Sequence, residues 1–174
     1  MQNINSTRPH TSEYAPYYEK YISLVPEGDV VAALGRQLDN TLSLLRGLSE
    51  AQADSRYASD KWSIKEVIGH IIDTERIFGH RAFRFARNDQ TPLPGFEQND
   101  YVREADFGNR RLGDLAEELE HVRRSNLHLF RSLDDMAWLR RGIANNNEVS
   151  VRALAHIIAG HETHHIQIIQ TRYL

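Results

Sequence analysis

Four stretches of roughly 20 residues, each with apolar side chains recurring every three or four positions, limit what this chain can fold into more than any other feature. Val31, Leu34, Leu38, Leu42 and Leu45 form one stripe, and Val67, Ile68, Ile71, Ile72, Phe78, Ala82 and Phe85 a second. Leu115, Leu119, Val122, Leu127, Leu129 and Phe130 form a third, and Leu154, Ile157, Ile158, Ile168 and Ile169 a fourth. The starts are marked. Asp29, after Pro26-Glu27-Gly28, opens a helix to about Leu48. Ser63-Ile64-Lys65-Glu66 is a capping box, whose serine and glutamate satisfy backbone N–H groups reciprocally, and the helix behind it reaches about Asn88. A third runs from about Leu112 to Leu133, and Ser150 caps a last one to Leu174. No segment shows convincing strand alternation, so the fold expected is all-α, a four-helix bundle.

A chain of 174 residues fits a single domain, 1-174, with residues up to about 10 carrying little that packs and expected to be loosely ordered. A short amphipathic piece from Thr11 or Ser12 places Tyr14, Tyr17, Tyr18 and Tyr21 where they would cover a bundle edge. Trp62 and Trp138 read as core, with Trp62 also placed to act as a hydrophobic staple before the second helix. From Asp89 to Arg111 the pattern breaks at Pro92, Pro94, Gly95 and Gly108, and a connection this long often lines a functional site. Phe96, Tyr101 and Arg103 are its candidate substrate contacts; an equal reading is a crossover link whose aromatics cap the bundle. Glu120 and Arg124, four apart, read as a solvated face, and Asn145 to Asn147 is the one low-complexity run.

A net charge of −3, from 21 basic and 24 acidic residues, gives no field that would draw the protein to nucleic acid or an anionic membrane. There is no apolar leader at the start and no membrane-length apolar segment, so a soluble cytoplasmic protein is expected. With no cysteine, disulfides, a thiolate nucleophile and thiolate ligands are excluded. Any transition metal would be held by imidazole and carboxylate, a donor set suited to zinc, nickel, cobalt or iron.

That last point matters because three of the nine histidines fall in His161-Glu162-Thr163-His164-His165. On a helix His161 and His165 stand roughly 40° apart, on the side of the apolar stripe, whereas His164 is rotated roughly 100° from His165 to its edge. Two inward imidazoles without a shared partner would carry a desolvation cost, which favours a metal over two unrelated histidines. A tetrahedral catalytic site needs a third ligand and leaves one position open. His10, His70, His80, His121, His128 and His156 are the remaining histidines; His70, at the margin of the second helix's apolar side, is the best placed, though as an isolated residue it reads better as a partly buried, hydrogen-bonded histidine. The pentad also matches the metalloprotease signature H-E-x-x-H, but only nine residues follow His165 and none is His, Asp or Glu, so a peptidase is not expected. Glu162, roughly 55° from the stripe centre, is a candidate to orient a ligand or accept a proton.

Residues 61 to 89 (KWSIKEVIGHIIDTERIFGHRAFRFARND), 92 to 102 (PLPGFEQNDYV) and 150 to 174 (SVRALAHIIAGHETHHIQIIQTRYL), taken together and in this order, resemble the DinB-like, YfiT-like superfamily of metal-binding four-helix bundles, and the similarity extends from about Glu13 onward. The resemblance implies a bundle with long crossover links and a histidine triad of His70, His161 and His165. It implies a divalent transition metal as cofactor, zinc or nickel ahead of iron or cobalt, and a homodimer. It also implies a small-molecule substrate. Characterised members include thiol S-transferases that use a low-molecular-weight thiol such as bacillithiol or mycothiol; many others are described only as metal-dependent hydrolases. The function expected is therefore transfer of such a thiol to an electrophilic substrate, the thiol coming from a cosubstrate because the chain has no cysteine. Hydrolysis of a small amide or ester, and a noncatalytic module stabilised by its metal, are the alternatives. One departure is Glu97, where related sequences are expected to carry Asp.

Overall fold

The computed structural model describes residues 4–174. Its α-helices are α1 (Glu19–Ile22), α2 (Val30–Arg46), α3 (Glu50–Ala53), α4 (Ile64–Ala86), α5 (Gln98–Ala105), α6 (Leu112–Arg131), α7 (Asp135–Leu139) and α8 (Val151–Ile168). The four long ones start where the capping side chains are. Asp29 accepts from the backbone N–H groups of Val31 and Ala32. Ser63 and Glu66 close their reciprocal box, with Glu66 N–H donating to Ser63 Oγ at 3.3 Å and Ser63 N–H to Glu66 Oε2 at 2.6 Å. Ser150 accepts from Ala153 N–H. Helix α6 begins without such a cap, after Arg111.

Helices α4 and α2 each pack on α6 and on α8, so the first two long helices, α2 and α4, stand at opposite corners of the bundle. That arrangement requires links crossing the bundle ends. The connection between α4 and α6 contains a helix of its own, α5, where sequence pattern suggested an irregular loop; its apolar residue Val102 is buried while most of its neighbours face solvent. The link into α8 holds a feature the sequence reading missed altogether. Strands β1 (Arg141–Ala144) and β2 (Asn147–Ser150) pair antiparallel, with Arg141 opposite Ser150 and Ala144 opposite Asn147. Asn145 and Asn146 turn between them at φ 49° and 60°. Both central residues left-handed is the turn that matches strand twist, and asparagine tolerates it, so the apparent low-complexity run is a hairpin turn. Leu93 adds to the same edge through its hydrogen bonds with Ile143 and Asn145. Helix α8 ends at Ile168 and widens into a π-helical turn over Ile169–Tyr173, short of Leu174.

At the start of the chain, expected to be loosely ordered, residues 4–10 lie against the bundle, while Met1 to Asn3 lie outside the described residues. Arg8 donates to the carbonyls of Ile22 and Val25, each at 2.9 Å, and Arg152 donates to Thr7 Oγ1 at 2.6 Å. Polar side chains fasten this segment where apolar ones are scarce, a signal that hydrophobic periodicity does not carry. Among the described residues no helix is long and apolar enough to cross a membrane.

The core divides into two apolar clusters. One gathers Leu34, Phe78, Phe85, Phe130, Trp138 and Ile157, the other Leu38, Ile68, Ile72, Leu115, Leu119 and Ile169. Fully burying each such side chain stabilises the fold by roughly 1.5–3 kcal/mol. Between the clusters the long helices bring polar groups inward: Thr41, His70, Thr74, Glu75, Arg123, His161 and Glu162 are all buried. This polar layer holds the site.

Candidate metal centre

His70 projects from α4, and His161 and His165 from successive turns of α8, into one cluster. His70 Nε2 and His161 Nε2 are 3.0 Å apart, His165 Nε2 and His161 Nε2 are 3.2 Å apart, and one nitrogen from each of the three lies within 4.8 Å of the others. A neutral imidazole nitrogen offers one lone pair or one N–H, so His161 Nε2 can hydrogen-bond to only one of its two neighbours. Three nitrogens around a tetrahedral ion at about 2.0–2.1 Å would stand about 3.3 Å from one another, close to the spacing of the two pairs seen. The donor set therefore fits a divalent transition metal better than it fits itself.

Burial sets the protonation of all three rings. His70 is 2% exposed and burial alone pushes its pKa down to about 4. Burial first, then the neighbouring His70, His164 and Lys20, lowers His165 to about 3. Burial, then the adjacent histidines, holds His161 well below the ordinary value. Near neutral pH the three imidazoles are uncharged, the state a metal ligand requires. Aromatic rings fix their orientation. Tyr21 stands edge-on to His161 at 5.3 Å between centroids and Trp62 lies 5.0 Å from His70. Tyr21 can come this close because residue 160 is glycine: a Cβ there would collide with the Tyr21 carbonyl. His164 packs on Tyr21 and His165 and is not one of the converging three.

A cavity of about 360 Å³ opens on His70 and His161, walled by Tyr18, Tyr21, Phe78 and Phe96, with Arg81 and Gln98 also in its lining. The sequence-derived contacts of the 89–111 link divide. Phe96 lines this cavity and Tyr101 an adjoining hollow, whereas Arg103 faces solvent and pairs with Asp100 and Glu104. Glu97 reaches the cavity rim while its carboxylate caps α5 by accepting from Asn99 N–H. His10, His80, His121 and His128 are exposed and outside the cluster; His156 is buried elsewhere, its Nδ1 donating to the Arg152 carbonyl at 3.0 Å.

Glu162 corrects the sequence reading. Its carboxylate, 1% exposed, accepts from Thr41 Oγ1 at 2.6 Å and from Arg123 Nη2 at 2.6 Å, and has no hydrogen bond to a histidine of the triad. Arg123 in turn grips both oxygens of Glu75 at 2.6 and 2.8 Å and the Leu34 carbonyl at 2.9 Å. One guanidinium on α6 thus ties together α2, α4 and α8. Burial alone would lower its pKa, but the Glu162 and Glu75 carboxylates hold it above the ordinary arginine value. Glu162 is spent on this network and is not placed as the base or the orienting partner of the triad. Sequence pattern hides this because Arg123 looks like the first of two surface arginines on a charged helix.

The sequence profile of the DinB superfamily matches residues 33–169, well over half of the chain. The chain belongs to the DinB superfamily. By sequence no curated protein matches it. Among solved structures, this DinB-superfamily chain is similar in fold to YfiT from Bacillus subtilis, described as a probable metal-dependent hydrolase with an unusual four-helix bundle topology. The TM-score is 0.68 at 16% identity, over 95% of this chain and 90% of that one. At that identity the likeness concerns the fold, and the crossed placement of α2 and α4 agrees with a bundle of unusual topology. Tyr21, Gly160, Thr74 and Arg81 are the site residues that sequence reasoning missed. For the last two a signal existed: on one helix, positions 70, 74 and 81 share a face.

Proposed function

We propose that this DinB-superfamily protein is a metal-dependent enzyme in which His70, His161 and His165 hold a divalent transition metal, zinc or nickel first, beside a cavity for a small-molecule substrate. The observation carrying this reading is the convergence of three neutral imidazoles, His70 and His161 buried and His165 half-buried, whose own hydrogen bonding cannot satisfy them. An ion held by these three residues would supply activation of a nucleophile near neutral pH. The chain's contribution is to keep the three rings uncharged by burial and aimed by Tyr21 and Trp62, and to exclude bulk water with the aromatic walls of the cavity.

The choice of nucleophile follows from what surrounds the triad. Glu162 is committed to Arg123 and Thr41, and Glu97 is exposed at the cavity rim with one oxygen capping α5, so no carboxylate is held against the triad as a base. A thiol activated by the metal that His70, His161 and His165 would hold would need no separate base. Transfer of a low-molecular-weight thiol to an electrophilic carbon is therefore the favoured reaction. Hydrolysis of a small amide or ester is the second reading, supported by the likeness to YfiT.

Three measurements test this. Metal analysis of the purified protein should find close to one ion per chain, lost in His161→Ala and His165→Ala; no metal in the parent protein would sink the proposal. Consumption of a haloarene or epoxide by the metal-loaded protein should require added thiol, and ester turnover without thiol would select hydrolysis. Chelation should remove activity with little loss of helical circular dichroism, since the ion network and both apolar clusters stand without it; unfolding on chelation would favour a noncatalytic, metal-stabilised module.

A further inference from the structure

The cavity beside the triad contains a buried positive charge that nothing balances. Arg81 is 4% exposed on α4, and its guanidinium donates to the Pro94 carbonyl at 2.7 Å and lies beside the Tyr18 phenol and the Phe78 ring. None of these carries a charge, and among the described residues no carboxylate is within ion-pair distance of it. The contrast with Arg123 is direct, since that buried arginine has two carboxylates. Glu97, in the cavity lining, is exposed and caps α5, and Glu148, which shares a smaller pocket with Arg81, is exposed and pairs with Arg141 at 2.7 Å. Burial accordingly lowers the Arg81 pKa, with Tyr18 opposing, but an arginine keeps its proton at any ordinary pH, so the charge stays and calls for an anion.

Its position relative to the triad is fixed by the helix. Arg81 follows His70 by eleven residues, which is three turns, roughly 20° around the axis and roughly 16 Å along it. Both side chains open on the same cavity, and Phe78 and Tyr18 form its wall between them. A molecule that reached both ends would be elongated, with an apolar or aromatic middle.

We propose that Arg81 anchors a carboxylate at the far end of the substrate, so that the site takes elongated small molecules whose anionic group is several bonds from the reacting atom. The assignment of the reacting end rests on the metal reading given above; the anchor itself does not. A single guanidinium with one donor engaged by Pro94 retains N–H groups for a planar carboxylate, which arginine binds through paired hydrogen bonds.

The test uses metal-free protein, so that a carboxylate cannot be captured by the ion. Dissociation constants of 4-phenylbutanoate and the neutral 4-phenylbutanamide are measured by calorimetry or NMR titration for the parent chain, Arg81→Gln and Arg81→Lys. The acid should bind at least tenfold more tightly than the amide in the parent. That preference should vanish in Arg81→Gln and survive in part in Arg81→Lys, which keeps the charge and loses the fork. Equal binding of acid and amide, no binding of either at millimolar concentration, or an acid preference undiminished in Arg81→Gln overturns the proposal. Should circular dichroism show Arg81→Gln unfolded, the parent comparison decides alone. A phenylalkyl phosphonate, run in parallel, should bind less tightly than the carboxylate; a tighter phosphonate overturns the carboxylate assignment. Zinc content, measured separately, should be the same in Arg81→Gln as in the parent, so loss of the acid preference and loss of metal are read independently.

Discussion

Two polar clusters meet in the middle of this bundle, one residue apart on α8, and they are completed in opposite ways. Glu162 belongs to the closed one, where Arg123, Glu75 and Thr41 account for every charge with ion pairs and hydrogen bonds of 2.6–2.8 Å. His161 belongs to the open one, where three imidazoles face each other with more donors and acceptors than they can pair. Glu162 and His161 are both buried, so burial does not distinguish them. What distinguishes them is whether the protein itself supplies the partner. A polar cluster that is complete holds helices together, and one that is incomplete is shaped for something that arrives from outside. Arg81 falls on the open side of this division by the same criterion.

The largest effect expected is from breaking the closed cluster. Arg123→Met leaves two carboxylates buried without a cation, and removing one partner of a buried ion pair costs about 3–5 kcal/mol. Urea denaturation of metal-free protein should show a loss of that size, or no folded protein at all. His161→Ala in the same assay removes a ring that lacks a full set of partners, and should cost about 1 kcal/mol, an ordinary point-substitution effect. If the two losses are equal, the distinction between closed and open clusters fails.

Acid gives the next effect, best isolated at a buried histidine outside both clusters. His156 is held at a pKa of about 4, against an ordinary 6.5, chiefly by burial; its hydrogen bond to the Arg152 carbonyl opposes this, the charges of Arg152 and Arg8 reinforce it, and Glu13 opposes it. In the unfolded chain the ring takes a proton below pH 6.5, while the folded protein does not until about pH 4. Its contribution is therefore full above the unfolded pKa and is lost as pH falls through that window, by up to about 3 kcal/mol. Stability measured from pH 7 to 4 should fall less steeply in His156→Gln than in the parent, and parallel curves would show that the ring titrates normally in place.

Filling the open cluster should stabilise. Zinc at 100 times its dissociation constant adds about 2.7 kcal/mol to unfolding, provided that it binds only the folded chain. The shift in thermal midpoint should disappear in His165→Ala, and also in His70→Ala, whose ring comes from the other helix. A shift retained in either variant would mean that zinc binds elsewhere.

How much of this could be read from sequence follows from which interactions are periodic. The stripes and the caps at Asp29, Ser63 and Ser150 are local, and the four long helices lie close to where those signals put them. His161 and His165 share a helix, so their pairing was visible; His70 could be placed at a margin but not opposite them, because which helices are neighbours depends on crossover links that carry no stripe. The hairpin was missed because its strands are four residues each and its turn is written in asparagines. The partners of Glu162 are hidden for a different reason. Its inward angle was right, but its partner is on α6, in a run of charges with the look of a solvated surface.

That run supplies the smallest expected effect and the sharpest form of the comparison. Arg123 and Arg124 are adjacent, and each has a guanidinium nitrogen 2.6 Å from a glutamate oxygen, of Glu75 and Glu120 respectively. By distance the pairs are equal. The side chains of the first are 1% and 2% exposed, while those of the second are 59% and 27% exposed. Water solvates the Arg124 pair when it separates, and holding two long side chains together costs entropy, so little net stability results. Glu120→Gln should leave the urea midpoint unchanged within error, and added salt should remove any residue of an effect. A loss in Glu120→Gln approaching that in Arg123→Met would mean that charge pairing on α6 stabilises regardless of burial, and the closed cluster would lose its claim to a separate role.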